Sequence, residues 1–199
     1  MSTSELIALV LLTTVASFSP GPNTTLSTAL AANLGLKPAL RFVCAVPVGW
    51  GLLFSLCAGG LGALVVAIPP LRTGIQVFGV GYLLWLATRL AVANQLTRVD
   101  ATKLNVTFLQ GVLLQFLNIK AWMLALTVVA GWLAGRPDVG ARFAVILPLM
   151  LLFGFVSNLA YALIGSLLRG WLTRGRRLVW FNRSMAGVLV ITAAWMATI

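Results

Sequence analysis

Long apolar runs separated by short polar connectors dominate the pattern along this chain. Because about 20 apolar helical residues cross a hydrocarbon core of ~30 Å, the pattern predicts six membrane-spanning helices. Their approximate bounds are Glu5–Leu34, Phe42–Ile68, Leu71–Ala93, Val106–Ala134, Phe143–Leu168 and Leu178–Ile199. Continuous runs of this length argue against the alternating strands of a β-barrel. The predicted fold is an all-α integral membrane protein, with one transmembrane domain over residues 1–199.

The first run is interrupted halfway along by the stretch Phe18-Ser19-Pro20-Gly21-Pro22-Asn23. Each proline lacks a backbone N–H and clashes with the preceding turn, so a helix cannot pass through undisturbed. In hydrocarbon, broken backbone is tolerated only where protein or a water-filled cavity satisfies the freed groups. The interruption therefore predicts a site inside the bundle.

The fourth run carries a polar group at the corresponding place. Lys120 is the only charge well inside any predicted span, and Gln115 and Asn118 lie close by. A lysine near mid-span costs about 3 kcal/mol on insertion scales, so it is expected to face a cavity or a partner. The three carboxylates of the chain lie at span ends or in connectors: Glu5, Asp100 and Asp138. Backbone carbonyls, water or a bound anion are left as partners of the lysine.

The two interruptions divide the chain into halves of three spans, about 1–100 and about 104–199. Because three is odd, the halves have opposite orientation. Interrupted spans at corresponding positions of two inverted halves are typical of the central site of a secondary transporter. The alternative is that the prolines only kink a helix and that Lys120 snorkels to an interface.

Charge excludes a soluble protein and orients the spans. Only 9% of the residues are charged, yet the net charge is +11. Ten of the fourteen Lys and Arg residues are assigned to the first, third and fifth connectors and three to the second and fourth. This asymmetry predicts cytoplasmic odd connectors and both termini outside. The cluster of Arg174, Arg176 and Arg177 is interpreted as a topology and anionic-lipid anchor rather than a nucleic-acid site.

The residue types present exclude most chemistry. Histidine is absent, and Cys44 and Cys57 lie ~20 Å apart along one predicted helix, too far for a disulfide. No metal or cofactor site is expected, and no nucleotide-binding motif occurs. An enzyme is not expected, because only a Ser–Lys pair would remain and no serine lies one helical turn from Lys120. A non-transporting membrane scaffold or accessory subunit is the alternative function.

Three motifs together resemble the LysE/RhtB-type family of amino-acid exporters. They are Ser19-Pro20-Gly21-Pro22-Asn23, Gly81-Tyr82-Leu83-Leu84-Trp85-Leu86 and Phe116-Leu117-Asn118-Ile119-Lys120-Ala121, followed by Phe181-Asn182-Arg183 and Gly187. The resemblance covers essentially the whole chain and implies export of an amino acid across the bacterial inner membrane. The Asn-aliphatic-Lys form is similar to that of the cysteine and O-acetylserine exporters, which share the short length.

The chain departs from that family at two positions. Many relatives have proline where this chain has Ile119, which is a reason to expect a softer break in the fourth span. Many carry an acidic residue where this chain has Asn23, so a carboxylate that could bind a cation or carry a proton is missing. Energy coupling therefore stays open between proton transfer by Lys120, facilitated diffusion and a coupling partner.

A zwitterionic substrate needs an anion site for its carboxylate and oxygens for its ammonium group. The predicted substrate-binding residues are Pro20, Gly21, Pro22, Asn23, Gln115, Asn118 and Lys120. Further candidates are Thr24, Ser157, Asn158 and Tyr161; hydrogen bonding between helices explains the last three equally well. The expected partners are a small amino-acid substrate and the lipid bilayer, without nucleic acid, and a homodimer is one possible assembly.

Overall fold

The computed structural model of the protein describes residues 1–93, 106–172, 174 and 176–198. Over these residues the chain forms nine α-helices and one π-helical turn. The bounds are α1 Thr3–Phe18, α2 Pro22–Leu34, α3 Leu36–Ala58, α4 Leu61–Ala67, α5 Pro69–Ala91, α6 Phe108–Leu117, α7 Ile119–Val128 with the π turn Val129–Leu133, α8 Val139–Leu172 and α9 Arg177–Ala197. Three charged residues considered in the sequence analysis lie outside the described residues: Arg98, Asp100 and Lys103.

The apolar helices confirm an all-helical membrane protein. By length and composition, α3, α5, α8 and α9 can each cross a bilayer. The pairs α1–α2 and α6–α7 pass the same test jointly but bend by 48° and 67°. The described residues therefore hold four spans, or six if each bent pair is one span. Both bends fall where the sequence predicts an interrupted run.

The second and fifth predicted spans have different bounds from those expected. The second run is two helices, because α3 ends at Ala58 and Gly60 adopts φ 107°, a left-handed conformation that favours glycine. The fifth run extends outward to Val139 and Leu172. The helix therefore includes Arg142, which is paired with carboxylates, and Arg169, which reaches the turn at Gly35.

Helix α2 is the centre of the bundle. Eleven of its thirteen residues are buried, and it packs chiefly against α8, with further contacts to α3 and α9. At Gly165 of α8 the two backbones approach so closely that a Cβ would overlap the carbonyl oxygen of Thr28. The small and polar side chains of α2 are thereby placed inside the protein.

Two large apolar clusters fill the interior, beside a small one of Ala32, Leu172 and Leu178. One joins α2, α5 and α9 and includes Leu30, Leu83 and Leu189. The other joins α3, α7 and α8 and includes Phe54 and Ile146. The cavity between the two bends is lined by members of both clusters, among them Val46 and Met150.

Candidate functional site

The break at Pro20-Gly21-Pro22 leaves two carbonyl groups of α1 without their helical donors, since neither proline has an N–H. The hydroxyl of Ser19 donates to the carbonyl oxygen of Ala16 at 3.1 Å. The hydroxyl of Tyr161, from α8, donates to the carbonyl oxygen of Phe18 at 2.9 Å. Each freed acceptor is thus satisfied by a specific side chain, which makes the break a built feature of the fold.

Helix α2 restarts directly after this break. The N–H of Gly21 donates to Thr24 Oγ1 at 3.0 Å, and no N-cap side chain accepts from the first turn. A helix N-terminus carries a partial positive charge and free N–H groups, so it attracts anions. A Cβ at Gly21 would lie 3.3 Å from Lys120 Nζ. The ammonium group and the helix start therefore combine into one strongly electropositive position.

The second break is centred on Asn118, whose backbone is extended at φ −94° and ψ 99°. The indole N–H of Trp122 donates to the carbonyl oxygen of Phe116 at 2.8 Å. The next freed carbonyl, that of Leu117, lies against the backbone of α5 at Gly79, where a Cβ would overlap it. Contacts from outside the local turn therefore stabilise this break as well.

The second break forms although no proline precedes α7. The bend at Asn118 is 67°, compared with 48° at the proline-containing break. Ile119 begins α7 without proline, and the indole N–H of Trp122 donates to the carbonyl oxygen of Phe116, three residues before Ile119.

Lys120 bridges the two breaks. Its Nζ donates to Ser19 Oγ at 2.7 Å and to the carbonyl oxygens of Ser19 at 3.0 Å and Pro20 at 3.5 Å. No ion pair within the described ranges includes this lysine. The half-buried ammonium group therefore contacts neutral oxygens without a described carboxylate. Of the partners the sequence left open, backbone carbonyls are observed.

Ser19 is a serine close to Lys120 that spacing along the sequence does not reveal. The absence of a nearby serine was inferred from spacing along one helix, but Ser19 reaches Lys120 from 101 residues away. This hydroxyl is positioned as a hydrogen-bond partner of the ammonium group and of Ala16.

Two of the predicted amides bind each other. Asn23 Nδ2 donates to Gln115 Oε1 at 2.8 Å, and Gln115 Nε2 returns a bond to Asn23 Oδ1 at 3.1 Å. Gln115 also donates to the carbonyl oxygen of Gly111 and is completely buried. The pair joins α2 to α6, and Gln115 does not line the cavity.

The predicted polar residues of α8 also hydrogen-bond to other groups of the protein. Asn158 Oδ1 accepts from Ser27 at 2.9 Å, and its amide donates to Gly154. The Ser157 hydroxyl also donates to Gly154. Hydrogen bonding between helices, the alternative given by the sequence, is therefore observed for Asn158 and Tyr161, whereas the bond of Ser157 stays within α8.

An open cavity of about 70 Å³ lies between the two breaks. The predicted residues that line it are Gly21, Pro22, Asn23, Thr24, Asn118, Lys120, Ser157 and Asn158. The predicted residues outside its wall are Pro20, Gln115 and Tyr161. The wall also includes Ser19, Trp50 and Met150, which the sequence analysis did not select.

Two polar atoms in this wall lack a partner in the described protein. Asn118 is 3% exposed and its Oδ1 accepts no hydrogen bond, while Trp50 is 8% exposed and its Nε1 donates none. A buried polar atom left unpaired costs about 1–3 kcal/mol. One buried acceptor and one buried donor thus belong to residues that line the cavity. A tryptophan three residues after Pro47, inside an apolar run, was the available sequence signal for the donor.

The site combines positive charge with an unpaired acceptor. The start of α2 and Lys120 provide the positive charge, and Asn118 Oδ1 is a buried acceptor without a described donor. An apolar wall surrounds these groups, which strengthens their electrostatic interactions relative to water.

Comparison with known proteins identifies a family and several relatives of this chain. A family profile described as LysE type translocator matches residues 14–198. The chain is similar to a cysteine/O-acetylserine efflux protein of Klebsiella pneumoniae subsp. pneumoniae, with 27% identity over 194 residues and 97% of each chain covered. It is also similar to the proteins of that name in Escherichia coli strain K12 and Shigella sonnei, each 25% identical over 168 residues, with 84% of this chain and 85% of the relative covered. No solved structure matches the chain.

Proposed function

The chain belongs to the LysE type translocator family, and from this premise we propose that it is a secondary transporter that exports amino acids or close derivatives across the bacterial inner membrane. The observation that carries the proposal is Lys120, a half-buried cation between two broken helices with only neutral oxygens as described partners. A substrate carboxylate would supply the missing negative charge.

The carboxylate is proposed to bind between Lys120 and the first turn of α2. Charge-assisted hydrogen bonds are roughly twice as strong as neutral ones. Lys120 is already oriented by Ser19, so little ordering is required when the substrate binds. Because Gly21 has no side chain, the ammonium group of Lys120 can lie against the backbone there.

The ammonium group of the substrate is proposed to bind the opposite break. Asn118 Oδ1 is the buried acceptor that lacks a donor, and Asn23 lies in the same wall. Gln115 is assigned a positioning role instead, because its amide is fully engaged with Asn23 and Gly111. The zwitterion then spans the two breaks at mid-membrane.

We further propose that the halves of the protein are inverted repeats. Each half contains a bent pair, then a long helix with an internal proline, Pro47 in α3 or Pro148 in α8, and later a final apolar helix. The distribution of Lys and Arg favours cytoplasmic odd connectors and termini outside. Such repeats form their substrate site where the broken helices meet.

Cysteine and O-acetylserine are the first substrates to test. The relatives named for their efflux match 84–97% of this chain, although identity of 25–27% does not transfer a substrate by itself.

Counterflow of labelled amino acids in proteoliposomes tests the export function. We expect Lys120→Ala to reduce counterflow at least about tenfold while the protein still inserts, because the substrate carboxylate loses a charged partner. Lys37→Ala is the matched control, since this lysine does not line the cavity, and it should retain transport.

Two results would count against the proposal in different ways. Wild-type rates in Lys120→Ala would remove the lysine from the site but leave export intact. If the wild-type protein exchanged no amino acid at all, the exporter assignment itself would be wrong and a non-transporting scaffold would be favoured.

A further inference from the structure

We propose that the indole N–H of Trp50 determines specificity, by selecting substrates whose side chain carries a hydrogen-bond acceptor. This inference rests on the proposed export function and adds a selectivity residue to the same cavity. The class selected is small amino acids with a carbonyl, ester or hydroxyl oxygen in the side chain, in preference to aliphatic ones of similar size.

The Trp50 ring is held in a fixed orientation. It stacks on Phe54 with ring centroids 5.0 Å apart and an interplanar angle of 13°, and Phe54 stacks in turn on Phe143 at 5.5 Å. The side chain is 8% exposed and lines the cavity. A clamped indole keeps its N–H in one direction, so the donor is preorganised for an acceptor at one position.

Other tryptophans show what a purely structural indole does in this fold. Trp122 Nε1 donates to the carbonyl oxygen of Phe116 at 2.8 Å, and Trp132 Nε1 donates to that of Glu5 at 3.0 Å. Trp50 Nε1 has no such partner within the described ranges. Because buried indole N–H groups usually find a partner, an acceptor on the substrate is the natural one here.

The position of Trp50 points to the substrate side chain rather than to its charged groups. Lys120, Gly21 and Asn118 supply the charged and amide positions of the cavity. Trp50 belongs instead to the apolar stretch of wall that it shares with Val46, Pro47, Ala121, Leu124 and Met150. Its N–H is the one side-chain donor of that stretch.

An acceptor requirement follows from this placement. A side chain without an acceptor would leave the indole N–H buried and unpaired, as it is before binding. A site built to hydrogen-bond its substrate discriminates strongly against an analogue lacking that group. For one uncharged donor we expect a preference of roughly tenfold.

Trp50→Phe is the direct test, since phenylalanine keeps an aromatic ring for the stack and removes the N–H. The probes are O-acetyl-L-serine, which has an ester carbonyl, and L-norleucine, which has no side-chain acceptor. Counterflow with each probe gives the ratio of their transport efficiencies. The matched control is Trp132→Phe, whose indole lies outside the cavity and is already bonded to Glu5.

The wild-type protein should favour O-acetyl-L-serine, and Trp50→Phe should lower that ratio roughly tenfold by loss of O-acetyl-L-serine transport alone. Without substrate, Trp50→Phe should lower the unfolding temperature less than Trp132→Phe does, because both lose indole volume but only Trp132 also loses a hydrogen bond. Trp132→Phe should lower the unfolding temperature and leave the ratio unchanged.

An unchanged ratio in Trp50→Phe, with both probes still transported, would overturn the role of Trp50 while leaving export intact. A loss of stability equal to that of Trp132→Phe would also overturn it, since the N–H would then have a structural partner. Absence of transport in the wild-type protein would instead refute the export function. If the variant does not fold, the indole ¹⁵N–¹H resonance of Trp50 in the wild-type protein decides: it should shift with O-acetyl-L-serine and not with L-norleucine, and equal shifts would overturn the proposal.

Discussion

At the scale of single residues, the two breaks depend on partners that are remote in sequence. Tyr161 lies 143 residues from Phe18, and Lys120 lies 101 residues from Ser19. The sequence could identify Lys120 because a charge in an apolar run violates the local pattern. Ser19 lies in the interrupted stretch and Trp50 follows Pro47 closely, but only the fold shows that both side chains reach the cavity.

Tyr161→Phe should destabilise the protein by about 1 kcal/mol, because it removes the donor to the Phe18 carbonyl. This carbonyl lacks a helical donor only because residue 22 is proline. In a Pro22→Ala background, the new N–H can bond Phe18, and the cost of removing the hydroxyl should largely disappear. A double-mutant cycle in the free energy of unfolding measures this coupling.

Tyr82→Phe is the control for that cycle, since the chain has only two tyrosines and Tyr82 lies on α5, away from the first break. Its effect should be the same with proline or alanine at position 22. Additive effects for Tyr161→Phe and Pro22→Ala would show that the hydroxyl does not replace the missing N–H.

At the scale of elements, α2 organises the molecule through three polar contacts. Asn23 binds Gln115 of α6, Ser27 binds Asn158 of α8, and Asn33 exchanges two hydrogen bonds with Asn182 of α9. The sequence predicted the break that begins α2 but not the central position of this helix. Hydropathy does not distinguish a helix enclosed by protein from one enclosed by lipid, since both environments are apolar.

The close approach of α2 and α8 gives a prediction at this scale. Gly165→Ala should destabilise the protein by about 1–3 kcal/mol, because the added Cβ would overlap the Thr28 carbonyl oxygen and a packed backbone cannot easily shift. Gly187→Ala is the matched control: it lies in α9 with no atom within 4 Å of its Cβ position. Thermal unfolding in detergent compares the two.

The control should be neutral or slightly stabilising, since alanine favours helix more than glycine does. Equal behaviour of the two variants would mean that α2 and α8 can separate without cost. A loss confined to Gly165→Ala would identify the α2–α8 contact as a determinant of the fold.

At the scale of the whole molecule, composition and long apolar runs were sufficient to predict the all-helical membrane class and the location of both bends. They were insufficient for the Gly59–Gly60 break, because paired glycines also occur inside packed membrane helices. Packing likewise decided that Gln115 and Tyr161 would bond protein groups and lie outside the cavity wall.

Ion pairs at one end of the bundle are a second feature of the whole molecule. The described carboxylates, Glu5 and Asp138, lie together at one end of the bundle with Arg136 and Arg142. Arg142 binds both acids, at 3.2 Å and 2.7 Å, and so connects the start of α1 to the start of α8. We expect this ion cluster to stabilise the end of the molecule proposed to face outside.

The ion cluster predicts a stability that depends on pH. The hydrogen bond from Arg142 lowers the pKa of the Asp138 carboxyl below its ordinary value near 4. A group whose pKa is lower in the folded state contributes stability above its unfolded pKa, and loses that contribution as the pH falls through its folded pKa.

Asp138→Asn keeps the shape and removes the charge, so the wild-type protein should unfold at a higher temperature near pH 7. The difference should shrink as the pH falls below about 4, as measured by thermal unfolding in detergent. A difference that is constant across this range, or absent at neutral pH, would show that the pair with Arg142 contributes nothing to holding α1 against α8.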